Sequence, residues 1–137
     1  MDRYLYRGKI KNGDKFVVGF IYKSSQNEDM IINIQGGGVV VDPTTIGQCT
    51  GLKDKNGELI FEGDIIKVGI WSHRLSNVGP IEAYIAEGNE EVIYRDGCFG
   101  FLWGFRREFN TFRNFVNTHF EIVGNVHDNP ELMEVGL

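Results

Sequence analysis

Positive charge is scarce in this chain: 14 Lys and Arg stand against 19 Asp and Glu, a net charge of −5 with a pI near 5.2. Non-specific binding to nucleic acid or to an anionic membrane needs a basic surplus, so both are disfavoured as bulk properties. Arg106, Arg107 and Arg113 are the one local basic cluster. Cysteine is nearly absent. Cys49 and Cys98 form no CxxC pair, and neither lies close to a histidine. His73, His119 and His127 show no i, i+4 spacing, so no zinc motif is present. No metal or cofactor is expected. The longest apolar run, near Phe16 to Tyr22, is too short to span a bilayer. Met1-Asp2-Arg3 leads into charged and polar residues, unlike the apolar core of a signal peptide. The expectation is a cytoplasmic protein with reduced thiols and no membrane partner.

Glycine and aromatic residues are plentiful: 18 Gly, 10 Phe, 5 Tyr and 2 Trp among 137 residues. The glycines sit between short apolar runs, which suggests many tight turns and a mainly β architecture. The length fits one domain over 1–137, with 1–47 as a candidate N-terminal β subregion packed on 48–137.

The segment Gln48 to Val68 is the clearest stretch. Asn56-Gly57 predicts a hairpin with a type I′ turn, since Asn and Gly reach φ > 0 most cheaply. Leu59, Ile60 and Phe61 predict a strand covered on both faces. Gly63-Asp64 breaks it, and Ile65, Ile66 and Val68 resume a β-branched run. Elsewhere, strands are expected at Tyr4–Ile10, Phe16–Tyr22, Met30–Ile34, Val39–Val41, Ile81–Ile85, Glu91–Tyr94 and Phe120–Val126. Asn12-Gly13, Gly36-Gly37-Gly38 and Asp96-Gly97 mark turns. Trp71 to Pro80 lacks a clean period and reads as a long loop.

Phe99, Phe101, Trp103 and Phe105 alternate as in a strand, whereas Phe105, Phe109, Phe112 and Val116 fall at helical spacing. A helix is therefore predicted over 106–117, and a short C-terminal helix opens at Asn129-Pro130. The fold expected is a small, bent, SH3-like barrel or pseudo-barrel built from hairpins.

Two blocks carry a resemblance. Gly47-Gln48-Cys49-Thr50-Gly51-Leu52-Lys53-Asp54-Lys55-Asn56-Gly57 with Ile60 to Ile66, and Phe120 to Leu132 (FEIVGNVHDNPEL), resemble the YopX family in order and spacing. Tyr4-Leu5-Tyr6-Arg7-Gly8 is similar too, and Trp71 to Ile93 matches least. Cys49 stands where an aromatic is more usual, so no general role is read from that thiol. The resemblance implies a small phage or prophage protein of Gram-positive bacteria, without assigned enzymatic activity and forming homo-oligomers. The residues it carries over are structural: Gly51, Asp54, Asn56, Gly57, Glu62, Gly63, Asp64, Gly124, Asn125, Asn129 and Pro130.

No catalytic residue is assigned. Glu62 and Asp64, two apart, could share acid–base or metal chemistry, but a turn carboxylate beside a solvated one is the better reading. Cys98 could be a nucleophile, yet structural cysteine is commoner. Gly36 to Gly38 precedes valines and not a helix opening with Lys-Ser or Lys-Thr, so a turn is favoured over a phosphate cradle. Phe101, Trp103, Arg106 and Arg107 could stack and hold single-stranded nucleic acid. Core packing ranks ahead of that, and a subunit interface second. The function expected is a non-catalytic phage or prophage accessory protein that contacts itself, or a host or phage protein. The alternative is a nucleic-acid-binding regulator.

Overall fold

The computed structural model describes residues 2–25, 29–33, 37–76, 79–103, 106–112 and 118–133. They form twelve strands: β1 Tyr6–Lys9, β2 Phe16–Lys23, β3 Asp29–Asn33, β4 Gly38–Val40, β5 Gly47–Lys53, β6 Leu59–Phe61, β7 Asp64–Ser76, β8 Gly79–Glu91, β9 Ile93–Arg95, β10 Cys98–Trp103, β11 Glu108–Thr111 and β12 Thr118–Asn125. Short 3-10 turns lie at Asp2–Tyr4, Pro43–Thr45 and Pro130–Met133. The protein is mainly β, as its turn-rich, β-branched composition predicts. Where a short C-terminal helix is expected, the described residues hold a 3-10 turn, Pro130–Met133.

The chain divides into two compact units. The N-terminal unit holds residues 1–52 and 59–62, and the C-terminal unit holds 53–58 and 63–137. In the N-terminal unit a six-stranded sheet runs β4-β3-β2-β1-β5-β6. Its outer strands do not pair with each other, so of the expected barrel or pseudo-barrel no closed barrel forms among the described residues. The sheet curls enough for one isolated bridge, Ile10↔Val41, to join the ends of β1 and β4. The reason it stops there lies on one edge of β1. That edge pairs Tyr6 and Arg7 with β5, while Lys9 N–H donates to Thr45 Oγ1 of the intervening 3-10 turn. A turn therefore occupies the place a continuous ladder would need. Ile31, Val41, Cys49, Ile60 and Phe61 form the core. Ile60 and Phe61 are adjacent in β6 and both buried, so β6 is covered on both faces as predicted. The Arg7 guanidinium lies 4.8 Å from the Phe16 ring centre and 5.0 Å from that of Phe61, a cation–π sandwich.

The C-terminal unit has two three-stranded antiparallel sheets, β12-β7-β8 and β11-β10-β9. Ile65, Ile66, Val68, Val92, Phe99 and Phe101 are its buried apolar residues. Each fully buried Ile or Phe contributes about 1.5–3 kcal/mol.

Three sequence expectations are corrected here. Trp71 to Ser76 is not a loop: it continues β7 and pairs with β8 as far as Ser76↔Gly79. Its mixed composition hides a ladder set by the opposite strand, not by its own period. The predicted helix over 106–117 is not seen where the chain is described. Arg106 and Arg107 form a turn, with Arg107 at φ 54°, and β11 pairs with β10 from Trp103↔Glu108 to Gly100↔Thr111. Asn, Thr and Phe are weak helix formers, and the open edge of β10 offers them ladder bonds instead. Residues 113–117 lie outside the described residues, as does Gly36, the first residue of the triple-glycine turn predicted at 36–38; Gly38 opens β4.

The third correction concerns the turn type at Asn56-Gly57. Gly57 has φ 83°, but Asn56 is not among the residues with positive φ. Gly57 N–H donates to Asp54 O, and Asp54 N–H donates to Glu58 O. This is a three-residue loop, a type I turn completed by a left-handed glycine. The type I′ turn occurs at Asp96-Gly97, with φ 52° and 82°, between Arg95 and its partner Cys98.

Candidate functional site

Within the C-terminal unit, residues 53–57 and 63–66 of the first signature block become neighbours of the second. Asp54 is buried, and its carboxylate has three backbone donors. Oδ1 accepts from the N–H of Asn56 and of Glu58, each at 2.9 Å, and Oδ2 accepts from Ile122 N–H at 3.0 Å. Burial pushes its pKa up, but the bonds from Ile122, Glu58 and Asn56, with the Lys55 charge, outweigh that and hold it below the ordinary aspartate value. Such a group is a fixed anion with its lone pairs engaged. General acid–base work wants a pKa near the operating pH, so Asp54 is poorly placed for it. Next to it, Lys55 N–H donates to Phe120 O at 2.9 Å, and Lys55 Nζ meets Glu121 Oε2 at 3.0 Å. The hairpin turn is thus fastened to β12 by main chain and side chain.

The following turn is fastened the same way. Gly63, at φ 91°, donates its N–H to Val92 O and accepts from Val126 N–H, both at 2.9 Å. Asp64 is buried, pairs in register with Asn125, and accepts from Val92 N–H through its carbonyl. Asn125 Oδ1 accepts from the N–H groups of His127 and Asp128, and its Nδ2 donates to Asp128 Oδ2. Asn129 Oδ1 accepts from Asn125 N–H at 3.2 Å, while Asn129 O accepts from Leu132 N–H to open the turn that Pro130 begins. At Gly124 a Cβ would sit 2.6 Å from Asn129 Oδ1, so only glycine lets this turn fold back.

The remaining motif residues belong to the N-terminal unit. Gly51 has φ 81°, and a Cβ there would lie 2.7 Å from Arg3 Cγ. Glu62 is half-buried, and its N–H donates to Gln48 O. Among the described residues, no three His, Cys, Asp or Glu side chains gather as a metal would require. Cys49 is buried and Cys98 exposed.

The aromatic and arginine candidates separate. Phe101 is fully buried, its ring meeting Phe112 at 5.4 Å, Phe120 at 5.9 Å and Trp103 at 6.4 Å, all edge-to-face. A ring so enclosed has no face for a base. Trp103 is half-buried and lies over Gly88, where a Cβ would come within 3.3 Å of the indole. Arg106 is exposed. Arg107 forks onto Glu90, with Nη1–Oε1 at 2.8 Å and Nη2–Oε2 at 2.5 Å. That bond, and the Glu90 charge, hold its pKa above the ordinary arginine value against partial burial. Glu90, only 5% exposed, is the residue that sequence reading missed. Glu90-Glu91 looks like any polar strand end, and no local signal pairs it with an arginine 17 positions on.

Large apolar side chains stand exposed on the N-terminal unit. Phe20 is 54% and Tyr22 40% exposed on β2. Met30 of β3 lies opposite Tyr22, and Val40 of β4 lies opposite Met30, so all four share one sheet face. Ile31 and Val41 take the buried face.

No curated protein gives a significant match. The crystal structure of protein YopX from Bacillus subtilis is similar, with a TM-score of 0.60 at 18% identity over 96% of this chain and 99% of that one. At that identity the likeness is one of fold. The family model described as YopX protein matches residues 5–134. Since that match includes both signature blocks and nearly the whole length, the chain belongs to the YopX family.

Proposed function

We propose that this protein is a non-catalytic phage or prophage accessory protein that works through protein–protein contact as a homo-oligomer. The observation that carries the reading is the exposed aromatic face of β2, with Phe20 and Tyr22 in water beside Met30 and Val40. Contiguous exposed apolar surface of this kind marks interaction sites. The polar motif residues Asp54, Asn125 and Asn129 support the same reading, because they are engaged in holding turns. Light scattering on the full chain tests it. A stable multiple of the 15.5 kDa chain mass is expected, and a strict monomer at high concentration would refute it.

The nucleic-acid reading has less support. It asks Phe101 to stack, and Phe101 is enclosed; it asks Arg107 to bind phosphate, and Arg107 is forked onto Glu90. It predicts a salt-sensitive gel shift lost on Arg106→Ala with Arg107→Ala.

A further inference from the structure

We infer that the exposed face of β2 is a two-fold interface, covered by the same face of a second copy of this chain. The inference rests on the homo-oligomer reading above and names both sides of the contact. Six large apolar side chains stand exposed among the described residues. Four of them are scattered: Tyr4 lies in the first 3-10 turn, Leu52 near the end of β5, Tyr94 in β9 and Val123 at the bulge of β12. Phe20 and Tyr22 alone share one strand and one face. Tyr22 also reaches across its neighbours. A Cβ at Gly38 of β4 would stand 2.8 Å from the Tyr22 Oη and 3.1 Å from Met30 Cε. The ring therefore extends over β3 towards β4, and glycine at 38 leaves it room. The result is a broad, low apolar floor. Such a floor suits sheet-on-sheet packing, in which two faces lie about 10 Å apart.

Charge and apolar content together select the covering surface. Six bases and six acids balance in the N-terminal unit, whereas eight bases stand against thirteen acids in the C-terminal unit, which holds the whole net −5. Stacking one N-terminal unit on another brings no net charge together, and joining two C-terminal units sets like charge against like. The acidic C-terminal unit of a second copy presents Tyr94 and Val123 singly, on separate strands, so it would cover little of the apolar floor. Among the described residues the one surface that matches two exposed aromatic side chains on a face is that face itself. The contact is then isologous.

The register fixes how the two copies are turned. Arg7 and Lys9 take positions on this face at one end, with Lys9 opposite Phe16, and no acidic residue takes a position on it in β1 to β4. Tyr22 lies at the other end, about 20 Å from Phe16 at strand rise. Stacked with strands parallel, the two copies would set cations on cations. A two-fold axis running across β2 at Phe20 reverses one strand on the other. It brings the two Phe20 rings together and holds the cationic ends on opposite sides of the axis.

Charge exchange at Phe20 tests this, because a two-fold contact sets residue 20 of one copy against residue 20 of the next. The full chain should scatter light as an even number of copies. Phe20→Glu and Phe20→Lys should each fall to half that mass with an unchanged circular dichroism spectrum, since like charges then meet at the axis. Mixed in equal amounts, the two variants should recover the full-chain mass, each Glu meeting a Lys. If the full chain is oligomeric and either variant keeps its mass, the mixture stays at the lower mass, or the number of copies is odd, the two-fold assignment is wrong while the oligomer reading stands. A face that serves another protein or a nucleic acid gives the first of those outcomes. A monomeric full chain removes both. Should a charged variant fail to fold, Phe20→Ser takes its place. The dissociation constant of the oligomer should then rise at least about tenfold, and an unchanged constant overturns the assignment.

Discussion

Asp54 holds the hairpin turn and reaches a strand 68 residues further along the chain. Its substitution by Asn is informative because the shape is kept. An amide has one acceptor oxygen, so it can serve Asn56 and Glu58 or it can serve Ile122, but its NH2 then faces a second donor. We expect Asp54→Asn to cost about 2 kcal/mol, read as a lowered urea midpoint. The pH dependence has a definite sign. The folded pKa is depressed, so the contribution is complete above the unfolded value near 3.9 and is lost as pH falls through the folded value. The gap between wild type and Asp54→Asn should be constant above about pH 5 and narrow below about pH 4. Glu90 makes the second case. Arg107→Ala leaves a buried carboxylate without its fork. Because the arginine side chain is half exposed, the expected loss is about 2–3 kcal/mol, below the range for a fully buried pair. Equal stability of wild type and variant in denaturant would show the pair to be ornamental.

At the scale of the element, two dipeptides of one kind make different turns. Asn56-Gly57 and Asp96-Gly97 carry the same local signal, yet only the second has both residues left-handed. The difference comes from Asp54, whose Oδ1 draws in the N–H groups of Asn56 and Glu58 and favours a type I turn with one residue more. Replacing Asn56 with Ala should therefore change stability by less than about 0.5 kcal/mol. Replacing Asp96 with Ala should cost about 1 kcal/mol, since alanine resists φ > 0. Thermal melts of the two variants side by side decide this; equal shifts would contradict the turn assignment. Strand contacts show the same dependence on place. A methyl at Gly100 would run into Asn110 O of β11, and one at Gly47 into Glu62 O beside β6. These glycines serve close approach of backbones and not turn geometry.

At the scale of the molecule, the connectivity sets what can fold alone. The N-terminal unit takes residues 59–62 from beyond the loop 53–58. A fragment ending at Leu52 lacks β6 and the buried Ile60 and Phe61, and we expect it to show no sheet by circular dichroism; a folded fragment would refute this. The sequence by itself determined the class: short β-branched and aromatic runs between glycine turns can satisfy their backbones only in antiparallel sheets. It also determined the family, and the turns at Asn12-Gly13, Asp96-Gly97 and Asn129-Pro130, because the backbone limits of Gly, Asn and Pro act within a few residues. Only the tertiary structure decided that Trp71 to Ser76 is strand and Glu108 to Thr111 is not helix, because a partner strand supplies ladder bonds that local preference cannot foresee. It alone paired Glu90 with Arg107 and brought Asp54 to Ile122, since hydrogen bonds between distant residues follow from packing and leave no periodic trace along the chain.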